Sequence, residues 1–149
     1  MKMSNLFNSI YEISLRILIQ LFVLDGKEKT ADYISSLDYL SLYSKTFKIG
    51  DYDLHGKNPY RLGELATRLK SGRQALKALV SKGFASVSGT NQGFVFKITD
   101  RGKEVIEELK LDYAMNYMNI AIDVQDYFSE YSDTEVLNYI NGISRKRRI

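Results

Sequence analysis

The chain has 149 residues, no cysteine, no tryptophan and a formal net charge of +3. That length suffices for one domain with its own core, and the lack of cysteine excludes a disulfide framework, thiol chemistry and thiolate metal sites. Lys and Arg against Asp and Glu number 7 and 7 over residues 1–60, 9 and 2 over 61–103, 1 and 9 over 104–144, and 4 and 0 over 145–149. A basic segment is thus followed by an acidic one and a basic end. Such a division suits a nucleic acid on the basic part, a protein partner of opposite pattern, or acidic helices that lie near the basic segment and neutralise it.

Met1–Asn8 is a short polar lead without the pattern of a signal peptide. Ile10–Leu24 has helical spacing with apolar residues on nearly all sides, so it must be covered all round, as a central core helix or as one shared with another subunit. Its most apolar run, Ile13–Leu24, is twelve residues interrupted by Arg16 and Gln20, too short for a bilayer core of ~30 Å. A cytoplasmic setting is the default expectation. Asp25-Gly26 ends the helix. Thr30–Ser44 is a second helix, with Tyr33, Ile34, Leu37 and Leu40 at helical spacing and Asp38 among them, solvated or hydrogen-bonded to a neighbour. Residues 46–60 read as a loop, rich in Gly and Asp and carrying the sole proline, Pro59. Asp51, Asp53 and His55 alternate there in the manner of metal ligands, but one imidazole and two carboxylates do not make a zinc site, and no metal or other cofactor is expected.

From Leu62 the order becomes helix, strand, wing, strand, the back half of a winged-helix domain. Leu62, Leu65, Leu69, Leu76 and Leu79 keep one helical phase through Lys70-Ser-Gly-Arg73. This favours one continuous helix over the helix-turn-helix that a DNA reader needs, although Ser71-Gly72 is a plausible breaker. Gly83 stands as a C′ glycine. Ala85–Val87 and Phe94–Ile98 read as strands joined by the polar loop Ser88–Gly93, and Thr99 or Asp100 caps the next helix.

The acidic segment continues as helix from Lys103 to Tyr131, with a kink or break at Lys110-Leu-Asp112. Its tyrosines and methionines are expected in the core or at a subunit interface. Ser132 and Glu135 form a capping box that opens a last helix, Asp133–Ile140, ended by Asn141-Gly142 and followed by a basic tail over 141–149. The fold class is mainly α (α+β): a single winged-helix domain over 1–149, core about 10–140, with a small β-hairpin wing and flanking helices.

Motifs for catalysis are missing: no phosphate-binding Gly-x-x-x-x-Gly-Lys-Ser/Thr, no Gly-x-Ser-x-Gly, no His-Glu-x-x-His, and a lone histidine. This points to a binding subunit with no small-molecule substrate, not an enzyme. Tyr33-Ile-Ser-Ser-Leu-Asp38-Tyr39-Leu-Ser-Leu-Tyr-Ser44, then Leu54-His55, Pro59, Glu64 and Arg68, Leu76 to Gly83, and Gly93-Phe-Val-Phe to Thr99-Asp-Arg-Gly102 together resemble the middle-component family of bacterial ABC-three-component systems. The resemblance spans about residues 10–140. It departs from the pattern at Gly56-Lys-Asn, which separates His55 from Pro59, and at Thr67, where a second arginine is common beside Arg68.

The resemblance implies a small winged-helix adapter that joins an ATPase related to the structural-maintenance-of-chromosomes proteins, with its coiled coil, to an effector such as a nuclease. The setting it implies is defence against phages or plasmids, with the Lamassu type as the related arrangement. Phe22, Tyr39, Tyr117 and Tyr127 are the candidate partner interface. Arg68, Lys70, Arg73 and Lys77, with Arg61 and Lys82, are candidates to face DNA, mainly through the complex, or an acidic surface of a partner. The rival is a free-standing dimeric winged-helix transcription regulator.

Overall fold

The computed structural model describes residues 9–50, 53–54 and 64–147, the last five by backbone alone. Helix α1, Ile10–Leu24, is the central element. Most of its apolar circumference is covered by the chain itself: Ile13, Ile17, Leu18, Ile19, Leu21 and Leu24 are all buried, while Ile10 at its start stays exposed. The Ser9 hydroxyl accepts from the Glu12 amide to open it. Asp25, at φ 50, closes it in the left-handed region, and its amide donates to the Leu21 and Phe22 carbonyls. An aspartate tolerates that conformation better than most residues.

Strand β1, Lys29–Thr30, follows. Helix α2, Ala31–Leu42, starts at Thr30, whose hydroxyl accepts from the Tyr33 amide. Helix α3, Glu64–Ser81, is unbroken, as the leucine phase predicts. Gly72 is buried within it and acts as a crossing point, not a breaker: a Cβ there would lie 2.8 Å from the Ser35 Cβ of α2. The end of α3 is a Schellman motif, with Phe84 N–H on the Leu79 carbonyl and Gly83 N–H on that of Val80. Gly83, at φ 80, takes the left-handed position.

Strands β2, Ala85–Thr90, and β3, Gly93–Ile98, form a hairpin closed by Asn91-Gln92. Both strands reach further than the expected loop Ser88–Gly93 allowed, because Ser88 and Gly89 still pair with Val95 and Phe94. The sheet has the order β1-β3-β2, antiparallel throughout, and β1 adds Lys29 opposite Phe96 and Thr30 opposite Val95. Helix α4, Asp100–Glu107, is capped by Thr99, whose hydroxyl accepts from Gly102 N–H and donates to the Gly83 carbonyl.

A break at 108–111 leads into α5, Asp112–Tyr127, and then α6, Asp133–Arg147. The Ser132–Glu135 capping box forms in both directions, at 3.0 and 3.2 Å. Helix α6 does not stop at Asn141-Gly142 but runs on to Arg147, so the expected basic tail is largely helix. Gly142 is not at positive φ, so nothing in the backbone ends the helix there. Helix α1 packs against α2, α3, α4 and α5, and α2 packs against α3, α5 and α6. Among the described residues no helix is long and apolar enough to cross a membrane.

Candidate functional site

The outward face of α3 carries Lys70, Arg73, Gln74 and Lys77, all exposed and spaced three and four apart. They line an open groove of about 730 Å³ together with Gln92, Phe94 and Phe96 of the hairpin, Thr30–Asp32, and Asp133 and Leu137 of α6. The alternation of β3 explains the aromatic part. Val95 points inward at 8% exposure, so Phe94 and Phe96 share the other side, and Phe94 is 70% exposed.

The charges in the groove are partly spent. Arg73 forks onto Asp32, Nε to Oδ1 at 3.1 Å and Nη2 to Oδ2 at 3.1 Å, in an exposed pair. Asp133 accepts from the Thr30 hydroxyl at 3.0 Å. Lys70 and Lys77 are exposed on the groove wall. A helix wall with two lysines beside an exposed phenylalanine suits a ligand that is anionic along one side and apolar or aromatic along the other.

Arg68 does not join this face. Its side chain is largely covered and bonds to Glu64, Nε to Oε1 at 3.2 Å, while the Tyr43 hydroxyl donates to the same oxygen at 3.4 Å. That cluster ties the first turn of α3 to the end of α2. Lys82 lies elsewhere, beside a smaller apolar hollow lined by Ile10, Tyr11, Leu15 and Phe84. Arg61 and Leu62 fall outside the described residues.

Two expected interface residues prove to be interior. Tyr39 and Tyr117 are 1% and 0% exposed, so their rings face this chain's own core and not a partner. Tyr39 packs edge-on to Tyr43 at 5.5 Å, with Phe47 beside it. Phe22 is half-buried against the core. Tyr127 stays 45% exposed, in an aromatic cluster with Phe128, Tyr131 and Tyr139.

Tyr117 instead belongs to a buried polar network. Its hydroxyl donates to Asp38 Oδ1 at 2.5 Å and accepts from Gln20 Nε2 at 2.8 Å. Arg16 Nε and Nη2 donate to the Asp38 carboxylate at 2.9 and 3.3 Å. Gln20 also donates to the Ser41 hydroxyl, and Gln125 reaches back to the Gln20 side chain and carbonyl. Burial alone would lower the Arg16 pKa, but the adjoining Asp38 carboxylate outweighs it and raises it. Burial, reinforced by Asp38, pushes the Tyr117 hydroxyl well up. Glu12, 3.9 Å from Arg16, is raised by burial against the pull of that cation. The network is buried and joins α1, α2 and α5, so it holds the fold together.

Sequence reasoning missed the network and the aromatic side of the groove. Arg16 and Gln20, four apart on an otherwise apolar helix, were its visible signal, together with Asp38 in an apolar stretch. Of the imagined metal trio, Asp53 accepts from the Thr46 amide at 2.9 Å, and Asp51 and His55 lie outside the described residues. Among the described residues no group of three or more His, Asp or Glu could hold a metal ion.

No curated protein and no solved structure matches this chain. A family model does: that of the ABC-three component (ABC-3C) system Middle Component 2, over residues 6–147. The match takes in α1 through α6, both the polar network and the groove, and on that extent the chain belongs to the Middle Component 2 family of ABC-three component systems.

Proposed function

We propose that this middle component is a non-catalytic adapter that joins an ATPase related to the structural-maintenance-of-chromosomes proteins to an effector, a nuclease, in a cytoplasmic bacterial defence system of Lamassu type. The observation that carries this reading is the family match across residues 6–147. The body is read as a winged helix. Supporting that are the succession α1, β1, α2, α3, β2, β3 and the sheet order β1-β3-β2, with the hairpin as the wing. In this reading the groove beside α3 takes an acidic, partly apolar segment of a partner protein.

Coexpression with the proteins encoded beside its gene tests the proposal. The expected result is a stable complex with a large coiled-coil ATPase, weakened by the pair K70E and K77E. Substrate turnover by the isolated chain would overturn the reading.

A second reading, direct DNA binding by a free-standing regulator, draws on the face formed by Lys70, Arg73, Gln74 and Lys77. The engagement of Arg73 by Asp32, and Asp133 on the rim, weigh against it. A single preferred operator bound by the chain alone, with affinity that falls steeply with salt, would favour it over the adapter.

A further inference from the structure

Along α5 and the residue that precedes it, Leu111, Met115, Met118 and Ile122 follow at steps of four, three and four, which sets them on one stripe. Leu111, Met115 and Ile122 are 56%, 57% and 47% exposed, and Met118 is half-buried beside the core. The core-facing side of the helix is separate: Ala114, Tyr117, Ala121 and Val124 are buried, and α5 packs on α1 and α2. The stripe is therefore apolar surface beyond what the core uses. Scattered apolar residues need no explanation, but an aligned row of them does.

Its charged border indicates the occupant. On the helical wheel the side of α5 next to the stripe carries Asp112, Asp123 and Asp126, all exposed, with Asn116 and Asn119 among them. A second copy that met this face antiparallel, about a two-fold axis perpendicular to the helix, would set these carboxylates against their own images. A chain with bases beside its apolar residues would meet them favourably.

We propose that this face docks a helix of a different protein, apolar at three- and four-residue steps and bearing Lys or Arg beside that seam. The proposal rests on the adapter reading and extends it: the subunit then has two docking surfaces of opposite charge, the lysine-walled groove at α3 and the acid-bordered stripe on α5.

The test uses the full chain and two designed helical peptides, identical in their leucine seam but flanked by Lys in one and by Glu in the other, with binding read by fluorescence anisotropy. The Lys-flanked peptide should bind at least tenfold more tightly than the Glu-flanked one, and less tightly as salt rises. M115E with I122E should weaken it at least tenfold with the thermal melt unchanged. D112K with D123K and D126K, which keeps the apolar row, should reverse the preference between peptides.

Equal binding of the two peptides, or a response that ignores both sets of substitutions, overturns the proposal. So does a homodimer in sedimentation that M115E with I122E dissolves. Because no other component is present, a negative result here leaves the adapter reading standing, and failure of the coexpression experiment leaves the peptide result standing.

Discussion

Asp38 is held from two sides, by the Arg16 guanidinium of α1 and by the Tyr117 hydroxyl of α5, and is 3% exposed. Removing one member of a buried ion pair leaves the other without compensation, which costs about 3–5 kcal/mol. D38A should therefore lower the unfolding free energy in urea by that amount. R16M with D38L, which removes both charges and keeps the volume, should cost less than D38A alone. A D38A protein as stable as the wild type would show that the network carries no weight. Arg16 and Asp38 lie 22 positions apart, and nothing in local spacing links them. Their partnership was not legible, because it arises only when two helices cross. Tyr39 and Tyr117 misled for the same reason: helical spacing places a ring on a face but does not say whether that face looks inward.

The long helix α3 was legible at the scale of the element because its leucine phase survives Gly72. What spacing could not give was the role of that glycine, which the neighbouring helix decides. With a Cβ–Cβ approach of 2.8 Å, rotation of the Ser35 hydroxyl does not relieve the clash. G72A should destabilise the protein by about 1–3 kcal/mol, as other overpacked sites do. Adding S35G should restore part of the loss in a double-mutant cycle. Simple additivity of the two substitutions would refute the close crossing.

The capping box at the start of α6 was readable from Ser132 and Glu135 alone, since it needs only neighbours in sequence. Bonds from Ser132 lower the Glu135 carboxyl below its ordinary 4.5. Its folded value is thus the depressed one, so the cap stabilises above 4.5 and is lost as pH falls through the lower folded value. Amide exchange at the first turn of α6 should speed up over that acid range in the wild type, and E135Q should flatten the response. Strand β1 escaped notice because two residues carry no periodicity. Helix α6 ran past its expected end because Asn141-Gly142 permits a stop without imposing one.

Among the described residues the ion pairs of the basic segment do not reach the acidic helices. Arg68, Arg73 and Lys103 reach Glu64, Asp32 and Asp25. Lys70 and Lys77 remain exposed on the groove wall, so a polyanion such as heparin should bind there. K70E with K77E should lower the slope of log affinity against log salt by about two, roughly one for each lost phosphate-type contact. An unchanged slope would move the polyanion site elsewhere. The basic wall was legible from composition and spacing. Phe94 as its aromatic counterpart was not, because the inward or outward sense of β3 depends on pairing with both neighbours.

Thr30 sits where these parts meet. Its backbone pairs with Val95 of the hairpin, its hydroxyl accepts from the start of α2, and the same hydroxyl donates to the start of α6. One residue thus ties three elements, the hairpin, α2 and α6, at a single point. T30V, which removes both side-chain bonds, should speed exchange at the Tyr33 amide, whereas T30S, which keeps the hydroxyl, should leave it protected. A Tyr33 amide that exchanged no faster in T30V would show that the hydroxyl does not hold the start of α2.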